Sequence, residues 1–184
     1  MVFVVRDVRD TVCSMMNLDM GGFGNWLAFW ARTILQRKIS SQEFRQEFAR
    51  EIDMVNAAPK PHWSRRVATG ALYWKYKVAS YFRYLGRGFP VLLVHYERLV
   101  RRAQDELRRV TDFLGVGWED ALLRHPEFRH RESPVGGTDP SRPIHADSVG
   151  QYKRLLCPAE ARAIWRIAGD VMKRLGYTRG AYDG

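Results

Sequence analysis

The stretch Val2-Phe3-Val4-Val5-Arg6-Asp7-Val8-Arg9-Asp10-Thr11-Val12-Cys13-Ser14-Met15-Met16 decides how the rest of the chain is read. Its first four residues are a continuous β-branched and aromatic run, the pattern of a strand buried on both faces in a parallel sheet. Beyond Arg6 the apolar residues recur at Val8, Val12, Met15 and Met16, which is helical spacing, and Asp7 stands where a helix N-cap belongs. The expectation is a strand, a sharp turn and a helix over Asp7 to Leu18. An Arg at the carboxyl end of a strand and a Ser about two helical turns on can converge on one anion, the Arg with a charged fork and the Ser with a hydroxyl donor. Ligands of open α/β sheets sit outside the carboxyl ends of the strands, where Arg6 falls. Spacing alone leaves a second reading open, a surface ion pair from Arg6 to Asp10 or Glu97.

Outward from this stretch, strand and helix signals alternate. Gly21, Gly22 and Gly24 break the first helical pattern, and helices are expected over Trp26 to Gln36 and over Gln42 to Val55, the second capped by Ser40 or Ser41. Pro59 and Pro61 end that section. A longer helix is expected from Ser64 to Leu85, closed by Gly86, Gly88 and Pro90; then comes a second apolar strand, Val91 to Val94, and an amphipathic helix from Arg101 to Leu114 stopped by Gly115. Pro126 to Asp147, rich in Pro, Gly, Ser and Asp, is expected to be a long functional loop. The last helix runs from Pro158 to Leu175, with Pro in its first turn and Gly176 as its stop. This order gives an α/β fold with a small parallel sheet, and 184 residues fit a single domain spanning 1–184. A chain opening directly on a core strand leaves that strand's ladder groups to be satisfied, so a segment upstream of Met1 is expected to be missing. Poor solubility of the isolated chain follows from the same open edge.

Composition narrows the function classes. A 46% hydrophobic and 12% aromatic content supplies a packed core and excludes a disordered chain. No apolar run approaches the roughly 20 residues that cross a bilayer, and Val2 to Val5 is too short for a signal-peptide core. Cys13 and Cys157 form no C-x-x-C pair, so neither a disulfide framework nor a thiolate metal site is signalled, and the cytoplasm is the expected compartment. Thirty Lys and Arg against twenty Asp and Glu leave a formal charge of +10, which attracts polyanions. Gly21-Gly22-Phe23-Gly24 lacks a following Lys-Ser/Thr, which removes a Walker-type phosphate loop.

Other clusters carry plainer readings. His125 and His130 are five apart and off a shared helical face, so with Glu132 they read as a solvated polar loop before a metal site. Glu97 reads as a structural anchor for the helix after the second strand. Trp63, Tyr73, Trp74, Tyr76, Tyr81 and Phe82 read mostly as core, with an acceptor cleft as the other reading.

With these residues in view, V-V-R-D-V-R-D-T-V-C-S-M-M resembles the 3′-phosphate motif of sulfotransferases that use 3′-phosphoadenosine 5′-phosphosulfate (PAPS), an apolar strand followed by R-[ND]-P-x-D-x-x-x-S. Pro90 to Leu99 is similar to the family's P-x-L-x-V-x-Y-E-x-L strand, Val110 to Val116 to its I-x-x-F-L-G-V, and Gly137 to Lys153 to its late loop over the nucleotide. The matches keep their order from Val2 to Tyr177. The resemblance implies a three-layer sandwich of P-loop sulfotransferase type, with Arg6 and Ser14 on the 3′-phosphate, Tyr96 near the nucleotide, and the loop from Thr138 through Arg142 to Lys153 completing the pocket. It implies PAPS as donor, 3′,5′-adenosine bisphosphate (PAP) as product, and a hydroxyl acceptor on a sugar, lipid, phenol or peptide tyrosine.

Val8 stands where the motif has Pro, which bears on turn rigidity. Gln151 stands at a position often basic in the relatives, so a cofactor contact passes to Lys153 or Arg154 or is lost. Cys157 replaces a capping Ser. In the family the loop that cradles the 5′-phosphosulfate, and the catalytic base, precede the Arg-Ser motif. Both are therefore expected upstream of Met1, the first strand and loop of the fold are expected to be missing, and little turnover is expected of this chain alone. The other function class that fits is a non-catalytic basic module binding nucleotide or nucleic acid, with nucleic acid the less favoured partner.

Overall fold

In the computed structural model, which describes residues 1–20, 41–58, 62–128 and 141–180, the apolar run forms strand β1, Val2–Val5. Helix α1, Val8–Met20, follows after a two-residue turn. The Asp7 carboxylate accepts the Arg9 N–H at 2.8 Å and its carbonyl accepts that of Thr11 at 2.9 Å, so Asp7 is the expected N-cap. The helix expected over Gln42 to Val55 is two, α2 (Gln42–Glu47) and α3 (Ala49–Asn56), broken where Phe48 leaves helical geometry at φ −119°, ψ 22°. Ser41 caps α2 through its hydroxyl. Then come α4 (His62–Gly86), β2 (Leu92–His95), α5 (Tyr96–Arg101) and α6 (Ala103–Leu114), a 3₁₀ turn over Asp120–Arg124, α7 (His125–Phe128), α8 (Tyr152–Leu155) and α9 (Pro158–Arg174). The helix expected over Trp26 to Gln36, the glycines at 21, 22 and 24, and His130, Glu132 and Thr138 lie outside the described residues. None of the described helices is long and apolar enough to cross a membrane.

The chain divides into two compact units, one built from Met1–Arg6 and Tyr81–Val149, the other from Asp7–Ser80 and Gly150–Asp183. In the first, β1 and β2 pair in parallel with Val2 opposite Leu92 and Val5 opposite His95. Burial of β1 is uneven, because β2 is its one strand neighbour among the described residues: Val5 is 2% exposed while Val4 is 55% exposed. Phe3 stacks on Tyr81 with ring centroids 5.4 Å apart. On α6 the buried Glu106 carboxylate takes Arg98 at 2.7 Å and Arg109 at 2.5 Å, so the ion is compensated twice. Gly115 ends α6 at φ +69°, and the Val116 N–H closes the turn onto the Thr111 carbonyl at 3.0 Å.

In the second unit, α1, α4 and α9 supply the core. Val8 and Val12 of α1, Val67 and Ala71 of α4, and Ile164, Ala168 and Met172 of α9 are all essentially closed to solvent. Each large aliphatic side chain so buried stabilises the fold by about 1.5–3 kcal/mol. A Cβ added at Gly70 of α4 would stand 3.2 Å from Val12, so α1 and α4 approach closely at that position. Phe44, Phe48 and Tyr76 form an aromatic triangle, with centroids 4.9, 5.2 and 6.1 Å apart, that seats α2 and α3 on α4. Beside it, Lys75 of α4 donates to Glu51 of α3 at 2.8 Å and to Asp170 of α9 at 2.9 Å. Burial raises the Asp170 carboxyl, but the Lys75 hydrogen bond and charge, with the Val171 amide, outweigh it and hold it below the usual carboxylate range. At the head of α9 the Cys157 N–H is taken by the Glu160 carboxylate at 2.9 Å, so the helix start keeps an acceptor where the family's Ser is absent.

Candidate functional site

Because β1 and β2 run parallel and in register at Val5 and His95, the chain leaves both strands at the same edge, carrying Arg6 from one and Tyr96 from the other. The Arg6 guanidinium lies 4.7 Å over the Tyr96 ring. Its Nη2 donates to the Ser148 carbonyl, and the Ser148 and Tyr96 hydroxyls are hydrogen-bonded at 2.9 Å. Guanidinium, phenol and serine hydroxyl thus form one cluster of donors at the carboxyl edge, the chemistry a phosphate monoester calls for. Arg142, from the same loop as Ser148, pairs with Asp147 at 2.8 Å on the exposed surface. That hydrogen bond, reinforced by His145, draws the Asp147 carboxyl below its ordinary range. His95, half-buried at the end of β2, has its imidazole pushed below its ordinary value by burial; Arg98 and Arg109 add to the shift and Glu106 opposes it.

The start of α1 organises a second cluster. Arg9 grips the Asp7 carboxylate with two nitrogens, at 3.0 and 2.6 Å, and donates to the carbonyls of Thr178 at 3.1 Å and Arg179 at 2.7 Å. Its guanidinium lies 4.1 Å over the Tyr152 ring, whose hydroxyl donates to the Gly180 carbonyl at 2.6 Å. Burial pushes the Tyr152 phenol up, with Asp7 and Asp10 adding and Arg9 opposing. The Asp10 carboxylate accepts the N–H groups of Gly150 at 2.6 Å and Tyr152 at 3.0 Å. Gln151 turns its amide to the Asp10 carbonyl at 3.1 Å. Ser14 is half-exposed on α1, one turn beyond Asp10, and Lys153 is exposed on α8.

The sulfotransferase domain family matches this chain over residues 1–175. The chain belongs to that family. Among curated relatives of this sulfotransferase chain are Protein-tyrosine sulfotransferase A of Caenorhabditis elegans, 26% identical over 91 residues that are 47% of this chain and 24% of that protein. Protein-tyrosine sulfotransferase of Drosophila melanogaster is 30% identical over 82 residues, 45% of this chain and 16% of the relative. Protein-tyrosine sulfotransferase 1 of Danio rerio is 24% identical over 122 residues, 62% and 31% respectively. The chain spans under a third of the length of each.

Of the residues expected at the nucleotide, Arg6 and Tyr96 are in contact. Ser14 and Lys153 belong to the unit organised by α1, and Arg142 is held by Asp147. Sequence reasoning passed over Ser148 as an individual residue and missed the role of Asp10. Ser148 bonds with both its carbonyl and its hydroxyl, and a serine in a Pro- and Asp-rich loop carries no mark of that. Asp10 did carry a mark, an acidic residue one turn before Ser14, but as an ion-pair partner for Arg6 rather than an acceptor for backbone amides.

Proposed function

We propose that this sulfotransferase domain takes PAPS as its sulfuryl donor and recognises it through the 3′-phosphate, within a sandwich of P-loop sulfotransferase type. The observation that carries the reading is Arg6 stacked on Tyr96 and hydrogen-bonded to Ser148 at the carboxyl edge of a parallel strand pair. When bound, PAPS supplies an activated sulfuryl group whose leaving group is the 5′-phosphate of PAP. Arg6 offers a planar fork suited to two phosphate oxygens, which a lysine ammonium lacks. Ser14 adds a hydroxyl donor and Lys153 a point charge. Tyr96 holds the Arg6 plane and lies beside the nucleotide, and Arg142 belongs to the loop that completes the pocket, in which the resemblance also implies Thr138, outside the described residues. The acceptor is a hydroxyl, and relatives named for protein tyrosine favour a phenol of a peptide over a sugar or lipid.

Calorimetric titration of the chain with PAP and with adenosine 5′-monophosphate tests this. PAP is expected to bind at least tenfold better, about 1.4 kcal/mol, and Arg6→Ala to abolish the preference. Equal, weak binding of both nucleotides that fades together with salt overturns it and leaves a general anion attractor.

A further inference from the structure

The Asp10 carboxylate, 1% exposed, holds two amides of one short turn, Gly150 through Oδ2 and Tyr152 through Oδ1, while its carbonyl takes the Gln151 side chain between them. Three consecutive residues are strung on a single helical position. Hydrogen bonds from amides to a buried carboxylate are charge-assisted and are not replaced by water when lost. Gly150 stands at φ +79°, in the left-handed region that side chains disfavour, and a Cβ there would meet nothing within 4 Å, so the turn itself is what requires glycine. Two further facts give the turn a consequence. Ser14 follows Asp10 by four residues and so lies on the same face of α1. Lys153 follows Tyr152 directly.

We propose that Asp10 is a positioning residue that fixes Lys153 relative to Ser14, so that the two donors keep the spacing one phosphate monoester demands. The inference rests on the nucleotide reading given above. Asp is required in place of Asn because both oxygens must accept; an amide keeps the size and loses one acceptor.

Asp10→Asn is compared with the unmodified chain by hydrogen exchange and by titration with PAP and adenosine 5′-monophosphate. Exchange at Gly150 and Tyr152 is expected to rise at least tenfold and the preference for PAP to fall at least fivefold. In a Lys153→Ala background the same substitution is expected to lower the preference less than twofold further. Gly150→Ala attacks the same turn without touching the buried carboxylate, so it serves if Asp10→Asn fails to fold, and the same loss of preference is expected. Freed amides with an unchanged preference overturn the proposal, as does a full additional loss in the Lys153→Ala background. If the unmodified chain shows no preference for PAP although Asp10→Asn frees the two amides, the nucleotide reading is what has failed, and Asp10 is a tether without a role in binding.

Discussion

Arg9 shows how much one side chain decides here. Its guanidinium is divided between a buried carboxylate and two carbonyls of the C-terminal segment, and it stacks on Tyr152. Arg9→Ala takes from the buried Asp7 carboxylate the guanidinium that grips both its oxygens, so a loss of about 3–5 kcal/mol is expected in urea denaturation, with Arg9→Lys recovering only part because an ammonium cannot grip two oxygens at once. Tyr96→Phe keeps the ring under Arg6 and removes the hydroxyl bonded to Ser148, for an expected cost of about 1 kcal/mol. His95 gives a pH signature. Its folded-state value lies below the ordinary 6.5, so the unfolded chain takes the proton first and stability falls as pH drops below about 6.5. His95→Gln is expected to flatten that slope in melts recorded from pH 7.5 to 5. At this scale the sequence was most legible where a residue's job is local, as with Asp7 capping α1. It was least legible where the partner is far along the chain, as Thr178 is from Arg9.

Elements were read well wherever a residue punctuates them. Gly115 and Gly176 stop α6 and α9 at φ +69° and +84°, and the strands and long helices stand within a few residues of their expected bounds. Gly115→Ala is expected to cost about 1–2 kcal/mol in thermal melts, since its backbone sits in the left-handed region. Gly86→Ala, inside the last turn of α4 with open space around it, is expected to be neutral or slightly stabilising. The break at Phe48 escaped sequence reading because neither Pro nor Gly marks it and both neighbouring segments keep helical periodicity, and helix α5 over Tyr96–Arg101, ahead of the helix expected from Arg101, was not foreseen. Lys75 ties three helices, two of them through carboxylates. Lys75→Met leaves Glu51 buried without its counter-ion, and a loss of about 3–5 kcal/mol is expected in chemical denaturation.

Across the whole molecule, charge and topology act at different ranges. A formal charge of +10 raises the affinity of any nucleotide at low salt, whereas the preference for PAP proposed above would depend on contacts made at one phosphate. Between about 50 and 200 mM salt both affinities are expected to fall, that of PAP more steeply because of its second phosphate, while PAP remains the better ligand, which titration at the two concentrations reads directly. Length and alternating elements were enough to foresee an α/β chain with a small parallel sheet. The grouping of residues into two units, each assembled from segments distant in sequence, was not foreseeable, because composition and periodicity describe neighbours along the chain and say nothing of which distant segments meet.

The pairing of β1 with β2 has a consequence for how the chain is born. Met1 bonds to the Pro90 carbonyl 89 residues away, and every rung from Val2 to Val5 spans a comparable distance. At ribosomal speeds of about 5–20 residues per second, β1 emerges roughly 5–20 s before its partner exists. During that interval β1 lacks the partner it pairs with among the described residues, and closing so long a loop is entropically uphill until that pairing rewards it. Refolding is accordingly expected to be slow for a chain so rich in helix, which stopped-flow fluorescence would read as a slow folding phase.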